Sequence, residues 1–159
     1  KRISYYLTYD MKLLFYNAYI MSTFDYCCTV WGNGKLIQKT IYKTQKRVAR
    51  LILNKPVQTN SIEMFTKLKW LPFSKRYQYH VAILIFKSSN NLAPHYISNL
   101  LKFSNNKYYK LRSIVRKDLI HHKARTNYLK QSFSYNSTLV WNTIPLDLRN
   151  ISNIYSFKN

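Results

Sequence analysis

Acidic side chains are scarce in this sequence. Its 159 residues include 26 Lys and Arg but only 5 Asp and Glu, which gives a formal net charge of +21. Such a charge destabilises a compact chain through self-repulsion unless a polyanion neutralises it. A bias toward A/T-rich codons would raise the number of lysines, but it would not remove the acids. The shortage of acids therefore favours a chain that binds phosphates, and nucleic acid is their commonest source.

The few acids are also widely separated. Asp10, Asp25, Glu63, Asp118 and Asp147 lie at least 15 residues apart along the chain. General acid–base and two-metal chemistry both need carboxylates that converge, and no local pattern here brings two together. We therefore expect this chain to be non-catalytic by itself.

Glycine and cysteine are nearly absent, and both residues of each type lie between positions 24 and 34. Two glycines exclude a Gly-rich phosphate loop. Adjacent cysteines seldom reach disulfide geometry, so the chain has no disulfide framework and is predicted to be intracellular, in nucleus and cytoplasm. The adjacent histidines His121 and His122 lie more than ninety residues from Cys27 and Cys28, which is not the spacing of a zinc site. We expect no metal and no cofactor.

The stretch around the cysteines is instead interpreted as a structural corner at the end of a helix. Cys27 and Cys28 are predicted to be small packing residues, Trp31 a core anchor, and Gly32 part of the turn that follows.

A membrane span is also disfavoured. The apolar stretch 13–31 has nearly the length that a bilayer requires, but it contains Asn17 and Asp25. An acid at bilayer depth costs roughly 3 kcal/mol, so we expect no membrane partner.

What the chain does contain is core material, since 47% of its residues are apolar and 16% are aromatic. The patterning predicts a mainly α fold, an irregular bundle of about five to six helices. The predicted helices cover 11–23, 35–53, 61–70, 72–89, 94–101 and 133–143. The first is apolar nearly all round, which predicts a central, fully buried helix. Trp70, Pro72, Trp141 and Pro145 are expected to be structural.

The composition changes at Lys102, where short apolar couplets replace helical periodicity. We predict a helical thumb- or linker-like region at 1–101 and a second region at 102–159, with a C-terminal helix. A basic loop or short β-hairpin is expected around 102–125, the hairpin pairing 110–115 with 118–121. No Met begins the chain, which predicts a piece of a longer protein.

Two groups of cations are candidates for binding nucleic acid. In the helix 35–53 the predicted inward stripe is Ile37, Ile41, Thr44, Val48 and Leu51. The opposite face carries Lys35, Lys39, Lys43, Lys46 and Arg50. The second group interleaves with tyrosines such as Tyr128, a combination typical of proteins that hold single strands. It consists of Lys107, Lys110, Arg112, Arg116, Lys117, Lys123 and Arg125.

Four blocks of sequence, in this order, carry a resemblance to a known family. They are "LLFYNAYIMSTFDYCCTVWGN", "LIQKTIYKTQKRVARLIL", "WLPFSKRYQYHVAILIFKSSNNLAPHYISNLL" and "YKLRS…KARTNYLKQSFSYNSTLVWNTIPLDLRN…SFK". Together they cover residues 5–158. The chain resembles the region C-terminal to the polymerase core in non-LTR (LINE-type, jockey-like) retrotransposon reverse transcriptases.

The resemblance implies a place within a larger RNA-directed DNA polymerase. Upstream polymerase and endonuclease domains would be partners, and template RNA and primer or target DNA would be ligands. The family's Phe/Tyr-Ala-Asp-Asp motif has no counterpart here, since Phe24-Asp25-Tyr26 contains a single acid, so no catalytic residue is carried over. Some members of the family carry a zinc knuckle, but this sequence has no cluster of cysteines and histidines that matches it. The alternative function is a degenerate retroelement relic, which acts as a protein-interaction module or has no function.

Overall fold

The computed structural model describes residues 3–104 and 112–158, and within these ranges the chain is mainly α-helical, which confirms the predicted fold class. A 3₁₀ turn, Ile3–Tyr5, precedes a first helical segment made of α1 (Tyr9–Phe15), a π-helical stretch (Tyr16–Met21) and α2 (Ser22–Asp25). Then come α3 (Cys28–Trp31), α4 (Lys35–Leu53), α5 (Ser61–Leu68), α6 (Phe73–Ser89) and α7 (His95–Ser98). The remaining helices are α8 (Arg112–Val115), α9 (Asn127–Gln131), α10 (Phe133–Thr143), α11 (Leu146–Arg149) and α12 (Ile154–Lys158). None of the helices described is long and apolar enough to cross a membrane.

The chain packs into two compact units, Lys1–Tyr77 and Gln78–Asn159. The division falls inside α6, so the first five residues of that helix belong to the first unit. The change of composition at Lys102, on which the predicted division into 1–101 and 102–159 rests, lies within the second unit.

The first helical segment is buried on one face only. Tyr16 and Met21 are buried, whereas Leu14 is 70% exposed, Tyr19 is 67% exposed and Phe15 is 49% exposed. The prediction of a fully buried helix is therefore wrong for the described chain. The reason is that the core of this unit, which α4 and α5 complete, contacts a single stripe of the segment.

The helix α4 turns a different stripe inward from the one predicted. Its buried residues are Ile41, Gln45, Ala49 and Ile52, while Ile37 is exposed. The polar Gln45 can face the core because its side-chain oxygen accepts a hydrogen bond from the backbone N–H of Phe73 at 3.0 Å. A buried amide that is hydrogen-bonded in this way carries no large penalty.

The corner between α2 and α4 is closely packed around Gly32. A Cβ atom at this position would lie 2.5 Å from the Cys28 carbonyl oxygen and 2.8 Å from the Tyr77 ring. Trp31 stacks on Phe73, with ring centroids 5.5 Å apart. Cys28 is buried, but Cys27, which we expected to pack, is exposed because it takes a left-handed conformation with φ 48°.

The predicted hairpin is not formed in the second unit. The described part of the segment 110–115 is the helical turn α8, so it cannot pair as a strand with 118–121. Instead, Phe103 and Leu119 form an isolated antiparallel bridge. Trp141 of α10 is buried beside this bridge, with its ring 6.5 Å from that of Phe103.

The buried Arg149 connects the turn at 116–118 with the end of α10 in the second unit. Its side chain is 4% exposed and forms an ion pair with Asp118. The guanidinium also donates to three backbone carbonyls, at 2.8 Å to Ile144, 2.7 Å to Arg116 and 2.8 Å to Asn142. It lies 5.9 Å from the Trp141 ring. No local pattern in the sequence distinguishes this arginine from a surface cation.

Candidate nucleic-acid interface

The exposed face of α4 carries a stripe of cations four residues apart. Lys35, Lys39, Lys43 and Arg47 are all exposed. Four residues advance an α-helix by about 6 Å and by a little more than one turn, so the stripe winds slowly along the helix. Among the residues that the structure describes, none of these four cations forms an ion pair. We call Lys35, Lys39, Lys43 and Arg47 the α4 basic stripe.

Two of the cations predicted for this face are placed differently. Lys46 is half-buried, and its ammonium lies 4.8 Å from the centroid of the Tyr42 ring. Arg50 is also half-buried, and its Nε is buried with no hydrogen-bond partner in the described chain. Arg47, which was not predicted, takes their place on the exposed face. The signal for Arg47 in the sequence is the regular spacing of four residues that begins at Lys35.

A groove adjoins the N-terminal end of the α4 basic stripe. Its volume is about 460 Å³, and it is lined by Lys35, Gln38, Lys39, Tyr42, Pro72 and Ser74. The last two residues lie at the start of α6, so the positive ends of two helix dipoles border the groove. The residues that the structure describes place no carboxylate in its lining. The groove therefore concentrates positive potential from two lysines and two helix N-termini.

Lysines at a helix N-terminus oppose the helix dipole, at a cost of roughly 0.3–1 kcal/mol each. The first turn of α4 has no acid to offset Lys35. An anionic ligand in the groove would remove this unfavourable interaction, because helix N-termini bind phosphates readily.

Two of the acids form ion pairs with arginines of their own unit. Asp25 pairs with Arg76 through Nε and Nη2, and Asp118 pairs with Arg149. The hydrogen bonds that Arg76 donates to the Asp25 carboxylate raise the pKa of this arginine above its ordinary value, so it stays charged. Two of the 5 acids are thus engaged in ion pairs, each within its own unit.

The second predicted group of cations is described only in part. Lys107 and Lys110 lie outside the described residues, and the side chain of Arg112 is not described. The other four, Arg116, Lys117, Lys123 and Arg125, are exposed.

The turn that carries Arg116 and Lys117 is anchored through its backbone. The Arg116 carbonyl accepts from Arg149, and the Lys117 carbonyl accepts from the Trp141 indole N–H at 3.0 Å. Lys117 has a left-handed φ of 52° that closes the turn. The buried groups thus fix the backbone and leave both cationic side chains at the surface.

One of the two histidines near this turn, His121, has partners within the fold. A ring nitrogen of His121 lies 2.6 Å from the Thr138 hydroxyl, and its ring packs 4.4 Å from that of Tyr135. Within the described ranges no three His, Cys, Asp or Glu side chains lie close enough together to hold a metal ion.

Comparison of the chain with protein-family models, with curated proteins and with solved structures finds no match.

Proposed function

We propose that this chain is a non-catalytic, nucleic-acid-binding accessory region of a non-LTR retrotransposon RNA-directed DNA polymerase. It holds template RNA and primer DNA through contacts to the phosphate backbone. The observation that carries the proposal is the α4 basic stripe with its adjoining groove, in which cations converge without any acid. The net charge of +21 and the family resemblance support the same function.

Phosphate contacts make a testable signature because each bound cation releases counterions. For a single strand the slope of log K against log salt is about −0.7 per phosphate neutralised. Mobility-shift titrations with single-stranded RNA at several salt concentrations should give a steep slope with little dependence on base sequence. Flat salt dependence, or no binding at micromolar protein, would contradict the proposal.

A charge-matched pair of variants locates the interface. Neutralising three members of the stripe, in K39Q/K43Q/R47Q, should reduce the magnitude of the slope by about 2. The control K55Q/K67Q/K158Q removes the same charge from exposed positions outside the stripe and should leave the slope nearly unchanged. Circular dichroism of both variants checks that helicity is retained. Equal losses in the two variants would show that only net charge matters, and that the stripe is not the interface.

One observation favours a second candidate, a protein-interaction module derived from a retroelement. The exposed face of the first helical segment presents Leu14, Phe15 and Tyr19, with the last two rings 4.9 Å apart. Under the first proposal, the upstream polymerase domain covers this face. An intact polymerase palm encoded upstream of Lys1 would support the accessory role. Stop codons or frameshifts there would support the second candidate.

A further inference from the structure

A second cavity in the first unit combines an indole with two cations. Its volume is about 340 Å³, near the lower end of the roughly 300–1,000 Å³ range of small-molecule pockets. The lining residues on which the argument rests are Tyr16, Gln45, Lys69, Trp70, Leu71 and Arg76. A volume of this size suits one small unit, such as a single nucleotide.

The aromatic wall of this cavity is held in place by stacking. The rings of Tyr16 and Trp70 lie 3.9 Å apart and 18° from parallel. Tyr16 is buried, while Trp70 is partly exposed. The indole is therefore rigidly positioned and still accessible to a ligand.

A buried amide beside the cavity holds its wall in place. Gln45 is fully buried, and its oxygen accepts from the Phe73 N–H at 3.0 Å. Its Nε2 donates at 3.4 Å to the Tyr16 hydroxyl and to the Leu71 carbonyl. Gln45 therefore fixes the Tyr16 ring and the Leu71 backbone and leaves contacts with a ligand to the exposed side chains of the wall.

The charges at the cavity favour an anion. Lys69 and Arg76 line it, the described part of the chain contributes no carboxylate to its lining, and Lys69 forms no ion pair there. Asp25 orients the Arg76 guanidinium through Nε and Nη2, and Nη1 is not part of that pair. Lys69 is exposed and caps α5 in a left-handed conformation with φ 54°.

We propose that this cavity binds one unpaired nucleotide of a single-stranded nucleic acid. The base packs against Trp70 and Leu71, and its phosphate binds Lys69 and Arg76. Every base has a flat face that can stack, so the cavity tolerates any sequence. This inference rests on the function proposed above, and it adds a base-contacting subsite to binding through the backbone.

The test uses the 159-residue chain labelled with 5-fluorotryptophan and two eight-unit RNA strands. One strand is oligouridylate, and the other has the same phosphates but abasic riboses. Fluorescence anisotropy measures affinity, and ¹⁹F NMR follows Trp70, whose resonance is assigned with Trp70→Phe. Oligouridylate should shift the Trp70 resonance and should bind at least about 5-fold more tightly than the abasic strand, since stacking of one base contributes this much or more.

A variant pair links the shift to the cavity. Lys69→Asn removes a lining cation with a residue that tolerates the left-handed conformation, and should reduce the Trp70 shift at a given strand concentration. Lys67→Asn removes an exposed cation of α5 that does not line the cavity, and should leave the shift unchanged. If both strands bind equally and Trp70 does not respond, the inference is wrong while backbone binding stands. If neither strand binds, the proposed function fails and the inference fails with it.

Discussion

Substitution of Arg149 should lower the stability of the protein strongly, although this cation does not reach the surface. We expect Arg149→Met to lower the free energy of unfolding by about 3–5 kcal/mol, the usual cost of removing one partner from a buried ion pair. The structure explains why the cost falls in this range. Three backbone carbonyls lose a charged donor at 2.7–2.8 Å, and Asp118 loses its counterion. Methionine fills the volume but donates to none of these groups.

Two milder variants separate the contributions. Arg149→Lys keeps the charge but cannot reach three carbonyls and a carboxylate at once, because an ammonium lacks the planar fork of arginine. Asp118→Asn keeps an oxygen that accepts from Arg149, and it affects a side chain that is 23% exposed, so its cost should be only about 1 kcal/mol. The expected order of destabilisation is Arg149→Met, then Arg149→Lys, then Asp118→Asn.

Urea unfolding provides the assay, followed by circular dichroism and by tryptophan fluorescence, to which Trp141 beside Arg149 contributes. Double-mutant analysis of Arg149→Met with Asp118→Asn should show coupling, since the two residues share one network. If the free energy of unfolding of Arg149→Met lies within about 1 kcal/mol of the wild-type value, the network does not stabilise the second unit. The same conclusion follows if Asp118→Asn lowers this free energy more than Arg149→Met does.

Three further outcomes are expected from the corner around Gly32. Gly32→Ala should cost about 1–3 kcal/mol in thermal or urea unfolding because its Cβ would meet the Cys28 carbonyl at 2.5 Å, whereas Gly34→Ala, with only the flexible Ile37 side chain nearby, should cost less. Burial raises the pKa of Cys28 to about 11 and that of Tyr77 to about 12, so above about pH 9 the unfolded chain loses protons that the folded chain keeps, and stability falls as pH rises. Urea unfolding at pH 8 and pH 10.5 should show a smaller fall in Cys28→Ala than in the wild type; an equal fall would contradict the thiol's share. Iodoacetamide at pH 8 should modify the exposed Cys27 and spare the buried Cys28, as mass spectrometry of the native protein would show; alkylation of both thiols at the same rate would argue against this packing.

The helices that the sequence predicts well are those with strong periodicity and clear breakers. The bounds of α4 and α10, Lys35–Leu53 and Phe133–Thr143, are those predicted, because apolar spacing and the residues that end each helix are local signals. Which face turns inward was predicted less well. Gln45 points to the core because of the Phe73 N–H, a partner 28 residues away that no helical pattern reveals.

The same limit applies to the candidate interface. Lys35, Lys39 and Lys43 are exposed, as their positions on α4 led us to expect. Arg47 replaces Lys46 and Arg50 on the exposed face, because the helix turns a different stripe of residues toward the core from the one predicted. Arg149 resembles any other surface cation in the sequence. Its burial depends on Asp118, 31 residues earlier, on the Arg116 carbonyl in the same turn, and on two carbonyls at the end of α10. Such polar networks are set by tertiary contacts, which no periodicity encodes.

The position of the division inside α6 affects how the protein can be dissected. A fragment that ends at Tyr77 would keep only five residues of this helix, far fewer than the 12–15 or so that a helix needs to be stable alone. Yet Phe73 and Tyr77, both buried, lie in those five residues. A fragment that begins at Gln78 would lose the Pro72 turn that starts the helix. Neither fragment, 1–77 or 78–159, should therefore fold when it is expressed alone. Limited proteolysis of the native chain should spare α6.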